Sequence, residues 1–151
     1  STGPIRIPAL GTRGKAGPYP SAVRVRGVDS DVAAVAVELR GLDHDRPSDL
    51  DVWLEAPDGS VVTLLSDVGG GQPVRDLDLV VRADAPPAGV APLAVAQSAS
   101  NREPDRQRRS FSRTSLDRLA GTDPNGEWRL LVADDRGGAT GRLDGWTLVL
   151  G

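Results

Sequence analysis

A short acidic segment, LDHDRPSDLD from Leu42 to Asp51, holds the residues of this chain whose types could do chemistry. The only histidine of the sequence, His44, stands there between Asp43 and Asp45. A histidine with carboxylate neighbours could act as a general base, because nearby negative charge favours its protonated form. The alternative is an exposed histidine in a polar turn, and we favour that interpretation.

The aspartates of this segment form a candidate calcium site. Calcium takes about six to eight oxygen ligands, which clustered carboxylates and backbone carbonyls can supply. The spacing is not that of an EF-hand, since Leu54 stands where a bidentate glutamate would be required. A solvated acidic turn, neutralised in part by Arg40 and Arg46, is the alternative. The candidate metal ligands are Asp43, Asp45, Asp49 and Asp51.

Other catalytic chemistry finds no support in the residue types. The chain has no cysteine, which excludes a thiol nucleophile, a disulfide and a cysteine-ligated metal. It has no Gly-x-Ser-x-Gly elbow, and the segments GVDSDVAAV and GGGQPV lack the spacing of phosphate-binding loops. We therefore expect no enzyme, no catalytic residue and no cofactor other than calcium. A hydrolase built around His44 is kept as an alternative.

One carboxylate continues the apolar face of a predicted strand. In GEWRLLVADD, Trp128, Leu130 and Val132 alternate on one side, and Asp134 takes the next position on that side. A carboxylate at the end of a strand can accept backbone N–H groups of the turn that follows. We expect Asp134 to be a structural hydrogen-bonding group, with a metal ligand as the second interpretation and a catalyst as the third.

Alternating apolar residues predict the elements that position these side chains. Period-2 patterns separated by turn residues occur along most of the chain, and no helix of about ten residues is indicated. This favours an all-β jelly-roll β-sandwich of about 7–9 short antiparallel strands, with Trp128 and Trp146 in the core and Trp53 facing outward. The predicted strands are Ser21–Gly27, Asp31–Gly41, Asp49–Ala56, Ser60–Asp67, Asp76–Asp84, Glu127–Asp134 and Arg142–Gly151.

The chain length of 151 residues suits one domain. Residues 1–17 are rich in Gly and Pro, so we expect an irregular N-terminal arm or linker, followed by the sandwich over residues 18–151. Residues 84–109 show no clear period, apart from a short strand at Leu93–Gln97. Pro57-Asp58-Gly59 predicts a hairpin turn, and a single helical turn is expected at Ser115–Gly121.

Charge and hydropathy limit the partners and the compartment. The formal net charge is -3, which argues against nucleic acid as a partner. No apolar run approaches the length of about 18 residues that a membrane-spanning helix needs. The first residues, STGPIRIPAL, lack the pattern of a signal peptide, which fits a chain trimmed from a longer precursor or a cytoplasmic protein.

Three motifs together resemble the P domain of proprotein convertases, also called Homo B, and above all the P-domain-like modules at the C-termini of bacterial subtilisin-like proteases. The resemblance covers residues 18–151. It implies a jelly-roll sandwich without catalytic residues, an accessory role that stabilises or positions a neighbouring protease domain, an extracellular location and, in some members, calcium binding. The motifs are DLDVWLEAPDG, SDVGGG and GTDPNGEWRLLVADDRGGATGRLDGWTLVLG.

A free-standing binding module is the alternative to an accessory domain. Trp53 on an outward strand face could stack on a carbohydrate ring or anchor a protein interface. The arginine-rich loop of residues 102–113 could add an anion-, glycan- or protein-binding surface, although Glu103 and Asp105 neutralise part of its charge and a solvated loop is the simpler interpretation.

Overall fold

Two β-sheets packed against each other form the fold, which confirms the predicted all-β sandwich. The computed structural model describes residues 5–8, 14–15, 17, 21–66, 73–82, 94–97, 107–112, 114–134, 138 and 140–151. Within these residues, 12 strands are present. They are β1 Ile5–Ile7, β2 Gly14–Lys15, β3 Ser21–Val25, β4 Val35–His44, β5 Leu50–Glu55, β6 Val61–Ser66, β7 Val74–Arg82, β8 Ala94–Gln97, β9 Gln107–Ser112, β10 Gly126–Asp134, β11 Gly141–Leu143 and β12 Gly145–Leu150.

The larger sheet has seven strands, with the long strand β4 at its centre. Strand β7 runs along one side of β4, and β9 pairs with the far edge of β7. The other side of β4 is shared by β12 and β11, which pair in turn with β8 and β1. The smaller sheet has five strands, in which β10 pairs with β2 and β3 on one side and with β5 on the other, and β6 pairs with β5.

Alternating side chains from both sheets fill one core. Trp128 of β10 and Trp146 of β12 are both fully buried, as predicted. Each indole finds a hydrogen-bond acceptor inside the protein: Trp128 Nε1 donates to the carbonyl of Pro124 at 2.9 Å, and Trp146 Nε1 donates to Ser21 Oγ at 3.0 Å. Because the two rings belong to different sheets, they pack the interior of the sandwich from both sides.

A bulge in β4 changes which residues of this strand face inward. Val35, Val37 and Leu39 are buried, and then the pairing with β7 shifts between Leu39 and Leu42. Gly41 has a φ of +66° and donates its N–H to the buried Asp78 carboxylate at 2.8 Å. The extra residue keeps β4 in the sheet past Gly41, where the sequence predicts its end, and turns Leu42 and His44 toward the core.

Two segments differ from the sequence-based expectation. Within the range expected to be an irregular arm, β1 pairs with β11, and Ile5 and Ile7 are buried in the core. Within the segment expected to be a loop, β9 pairs with β7, and this pairing is parallel. The signal at β1 is a single apolar-polar-apolar triplet, which is too short to separate from loop sequence. The parallel partner of β7 lies about 30 residues further along the chain. Local sequence patterns cannot predict a pairing over this separation.

Helical structure is limited, in the parts of the chain described above, to two 3-10 helices at Pro47–Asp49 and Thr114–Leu119. The second of these confirms the predicted helical turn. None of the described helices has the length or apolar composition needed to cross a membrane. The predicted hairpin turn between β5 and β6 is also confirmed, since Gly59 has a φ of +90° and donates its N–H to the Ala56 carbonyl at 2.9 Å.

Candidate functional site

A buried histidine–aspartate pair joins the two sheets at one end of the sandwich. His44 is the last residue of β4 in the larger sheet, and Asp134 is the last residue of β10 in the smaller sheet. His44 Nε2 lies 3.0 Å from Asp134 Oδ2, and both side chains are fully shielded from solvent. The prediction that His44 is an exposed turn residue is therefore wrong. The bulge at Gly41 extends β4 and points His44 inward, and the alternation in the sequence does not reveal this bulge.

Both ring nitrogens of His44 are occupied. The backbone N–H of Arg46 donates to Nδ1 at 2.9 Å, so Nδ1 carries no proton. The ring proton is consequently on Nε2, where it is donated to the Asp134 carboxylate. A general base needs a free nitrogen within reach of a substrate proton. His44 has none, and its role in this geometry is to bind the start of the Pro47–Asp49 turn to the end of β10.

Asp134 occupies the inward position that the sequence predicts. It is 1% exposed, and its hydrogen bond to His44 gives it the structural role that we expect as the first interpretation. The partner is a side chain from the other sheet, whereas the sequence pointed to the backbone of the following turn, most of which lies outside the described residues. The pairing links positions 90 residues apart, so no local pattern could reveal it.

Gly141 lets β11 approach the histidine closely. A Cβ built on Gly141 would lie 2.0 Å from the carbonyl oxygen of Asp43 and 2.7 Å from His44 Cδ2. Real Cβ atoms do not approach backbone oxygen so closely. Glycine is therefore required here by the close packing of β11 against the end of β4, and the absence of a side chain leaves room for the imidazole ring.

The four predicted calcium ligands occupy different environments. Asp43 and Asp45 line one surface groove, whereas Asp49 is buried and Asp51 lies on the outer face of the smaller sheet. One oxygen of Asp49, Oδ2, has no hydrogen-bond partner among the residues that the structure describes. In the described part of the chain, no group of three or more His, Asp or Glu side chains is placed to hold a metal ion. The four aspartates thus do not form a common ligand set, and calcium binding stays a prediction.

The groove that contains Asp43 and Asp45 is a charged depression of about 300 Å³ on the outer face of the larger sheet. We call it the arginine groove. Arg75 donates to Asp45 Oδ1 at 2.5 Å, and this hydrogen bond, together with one from the Thr140 N–H, holds the pKa of Asp45 below its usual value. Asp43 accepts the Asp76 N–H at 2.7 Å. The charged residues that line the groove are Arg6, Asp43, Asp45, Arg75 and Arg142.

A second surface lies on the outer face of the smaller sheet. Trp53 faces outward, as predicted, and its side chain is half-buried. It pairs directly with Leu131 of β10 and Thr63 of β6. Val61, on the same face of β6, is 49% exposed. The other large hydrophobic residues whose side chains the structure describes are buried or half-buried. We call these four residues the Trp53 face.

A ladder of ion pairs borders the Trp53 face. Arg129 Nε donates to Glu127 Oε1 at 2.7 Å, and Arg129 Nη1 donates to Glu55 at 3.0 Å. Arg24 reaches the other oxygen of Glu127 at 3.4 Å. The hydrogen bond between Glu127 and Arg129 lowers the pKa of Glu127 and raises the pKa of Arg129. The apolar centre of this face is therefore bounded on one side by charged groups that are already paired.

The arginine-rich loop proposed as a binding surface falls largely outside the described residues. Its central part, Gln107–Ser112, is strand β9, which corrects the expectation of a loop at this place. Arg102, Arg106 and Arg113 are outside the described residues, and so are the side chains of Arg108 and Arg109.

Comparison with known proteins finds a matching family and solved structures of similar fold. The family model of the proprotein convertase P-domain matches residues 32–150. Two solved structures of the Aeromonas sobria serine protease, one of them in complex with the chaperone, match 98% of the chain at 21% identity, with TM-scores of 0.52 and 0.53. The chain corresponds to 26% of that protease chain. A comparison with curated protein sequences finds no significant match.

Proposed function

This chain belongs to the proprotein convertase P-domain family, and on that premise we propose that it is a non-catalytic accessory domain of an exported bacterial protein. In this role it stabilises or positions a neighbouring domain, which we infer to be a subtilisin-like protease. The observation that carries the proposal is the family match over residues 32–150, which includes every described strand from β4 to β12. The likeness to a segment of the Aeromonas sobria serine protease supports it.

The state of His44 supports a non-catalytic role. The hydrolase alternative requires this histidine to reach a substrate, since it is the only histidine in the chain. His44 is fully buried, and both of its ring nitrogens are engaged by Arg46 and Asp134. A buried polar pair whose hydrogen bonds are satisfied rigidifies the structure around it. This geometry gives His44 a structural role.

We infer that the Trp53 face is the surface that contacts the neighbouring protease domain. Interface energy concentrates on aromatic residues near the centre of a contact, with a polar rim around them. Trp53 and Leu131 supply such a centre, and the ion pairs of Arg129 with Glu127 and Glu55 supply one side of the rim. Since these charges are satisfied within the chain, they can be covered by a partner without leaving an unpaired charge behind.

The natural gene product, expressed in an exporting host, tests the accessory role. We expect it to contain, or to copurify with, a protease domain. Deletion of residues 32–150 should lower the yield of mature protease by about tenfold or more, because a protease domain without its stabilising neighbour unfolds more often and is degraded. The activity of each mature molecule should be unchanged. A product without any protease-related partner, or full maturation of the deleted form, would refute the accessory role.

The contact surface is tested separately in the same gene product. Trp53→Ala should lower the melting temperature of the protease domain, while the melting temperature of the isolated chain changes little because Trp53 is only half-buried. Arg118→Ala, at an exposed position of the second 3-10 helix, is the matched control and should leave both values unchanged. Equal effects of the two variants on the protease domain would place the contact elsewhere on the chain.

A glycan- or protein-binding module is the second candidate function, and the outward position of Trp53 favours it. A partly exposed indole on the outer face of a sheet can stack on a sugar ring. Glycan-array screening and a pull-down with the isolated chain distinguish the two functions. Saturable binding of one glycan class that Trp53→Ala abolishes would support the module, and the accessory role predicts no such binding.

A further inference from the structure

We propose that Asn125 is a modification site, which is deamidated by its own backbone and water whenever the segment before β10 opens. The sequence contains two asparagines, Asn101 and Asn125, and only Asn125 is followed by a glycine. Glycine places no side chain in the way of the reacting backbone nitrogen, so an Asn-Gly pair is especially reactive in this chemistry. The proposal concerns the fold itself and does not depend on the accessory role.

The reaction uses two neighbouring residues and one molecule of water. The backbone nitrogen of Gly126 attacks the side-chain carbon Cγ of Asn125 and forms a bond to it. The bond between Cγ and Nδ2 breaks, and Nδ2 leaves as ammonia with the proton of the Gly126 amide. Water then opens the cyclic imide and restores the Gly126 N–H. Opening at Cγ gives aspartate, and opening at the backbone carbonyl gives isoaspartate, in which the backbone runs through the side-chain carbons.

In the closed fold, the side-chain amide of Asn125 is fixed against the backbone of Val28. Oδ1 accepts the Val28 N–H at 3.0 Å, and Nδ2 donates to the Val28 carbonyl at 2.7 Å. Nδ2 also donates to Asp123 Oδ1 at 2.8 Å. Attack on Cγ makes this carbon tetrahedral and expels Nδ2, so the planar pairing with Val28 cannot persist through the reaction. The closed fold therefore protects Asn125, and an opened segment does not.

The fold requires both residues of the reactive pair. Gly126 has a φ of +126°, and a Cβ built on it would lie 2.8 Å from Pro57 Cβ. A larger residue that would slow the attack is thus not tolerated at this position. Asn125 must supply a donor and an acceptor to Val28, and an ionised aspartate has no donor. The hydrogen bonds of the closed fold, and not a change of sequence, protect this site.

Deamidation prevents the segment from closing again in the same way. It replaces the donor Nδ2 by a carboxylate oxygen, which would face the Val28 carbonyl at 2.7 Å and the Asp123 carboxylate at 2.8 Å. Neither contact can then be a hydrogen bond. The indole of Trp128 donates to the carbonyl of Pro124 in the same segment, so the change reaches the core. A brief opening of this segment is thereby converted into a lasting loss of stability.

Rates of deamidation in the folded and unfolded full chain test the proposal. The chain is incubated at mildly alkaline pH with or without guanidinium chloride, and the modified peptides are quantified by mass spectrometry and by isoaspartyl methyltransferase labelling. We expect the unfolded chain to react at Asn125 at least about tenfold faster than the folded chain, since the hydrogen bonds to Val28 and Asp123 are lost. In the unfolded chain, Asn125 should also react faster than Asn101, which precedes an arginine.

A pair of variants tests the protection by hydrogen bonds. Asp123→Ala removes the acceptor of the Asn125 Nδ2 and backbone N–H, and should accelerate the reaction of the folded chain about tenfold. In guanidinium chloride it should change nothing. Asp58→Ala is the matched control, because Asp58 Oδ1 accepts the N–H of Ser60 in an equivalent turn at 2.9 Å. It should leave the rate at Asn125 unchanged, and thermal melting verifies that both variants fold.

The modified state is tested by Asn125→Asp, which should lower the melting temperature of the chain. Equal rates at Asn125 in the folded and unfolded wild-type chain would overturn the proposal, and this comparison needs no variant. It is also overturned by an unreactive Asn125 in guanidinium chloride, by equal rates for folded Asp123→Ala and Asp58→Ala, or by a wild-type melting temperature of Asn125→Asp.

Discussion

His44 Nε2 donates to Asp134 Oδ2 across 3.0 Å, and through this bond the last residue of β4 in one sheet holds the last residue of β10 in the other. Because both groups are shielded from water, neither can exchange its partner for solvent without opening this end of the sandwich. A hydrogen bond of this kind matters mainly when it is broken, because a buried donor without an acceptor destabilises the fold by its full desolvation penalty.

Removal of Asp134 should therefore be costly. Asp134→Ala leaves the His44 Nε2–H unpaired, and we expect a loss of about 1–3 kcal/mol in the free energy of unfolding, measured by urea denaturation. Asp134→Asn keeps an amide oxygen as acceptor and should recover part of the loss. Equal losses of stability in the two variants would show that Asp134 does not stabilise the fold by accepting the His44 hydrogen bond.

Substitution of Gly141 tests the close approach of β11. Gly141→Ala would place a methyl group 2.0 Å from the Asp43 carbonyl oxygen, so the strands must separate, and a loss of about 1–3 kcal/mol or more is expected. Gly151→Ala is the control, because its Cβ would meet only Ala34 at an ordinary 3.7 Å. Similar denaturant midpoints for the two variants would contradict the observed packing.

The two core tryptophans should dominate stability. Trp128→Ala and Trp146→Ala each remove a fully buried indole, and each should cost about 3–5 kcal/mol. Since small domains have about 5–15 kcal/mol of total stability, either variant is expected to be close to unfolded at 37 °C. Trp53→Ala, at a half-buried surface position, should cost far less. A wild-type midpoint for either core variant would show that these rings do not hold the two sheets together.

Acid titration should reveal the pairing of Asp45 with Arg75. The hydrogen bond from Arg75 is the largest cause that lowers the pKa of Asp45 from its usual 3.8. A carboxyl group with a lowered pKa in the folded state adds stability above pH 3.8, and this contribution is lost as the pH falls through its folded pKa. In ¹³C NMR titrations, Arg75→Gln should return the pKa of Asp45 toward 3.8. The pKa of Asp58, which is lowered by the Ser60 N–H, should not move.

Calcium dependence tests the candidate metal ligands. Calcium needs about six to eight oxygens, and only Asp43 and Asp45 of the four candidates share one place on the surface. Coincident melting curves in EDTA and in millimolar calcium chloride would exclude a structural calcium site at these residues. A shift of about 5–10 °C would demonstrate a calcium site in this chain. Its loss in the double variant Asp49→Asn, Asp51→Asn would assign the ion to this segment.

Local patterns in the sequence were sufficient for the strands that alternate over at least five or six residues. In β5, β10 and β12 the apolar residues at every second position face the core as expected, because a side chain that points to the wrong face would leave apolar surface in water. The same alternation placed Asp134 inside and Trp53 outside. The turn at Gly59 followed from residue type alone, since glycine adopts a positive φ without steric cost.

The partners of these residues were decided by the tertiary structure. The environment of His44 depends on a bulge at Gly41, where Asp78 of β7 accepts the Gly41 N–H. The pairing of His44 with Asp134 spans 90 residues, and the arginine groove brings Arg6 from the start of the chain beside Arg142. A strand's own sequence specifies which face is apolar, because that preference is local. It does not specify which strand lies alongside, because that choice depends on how all the apolar faces are buried together.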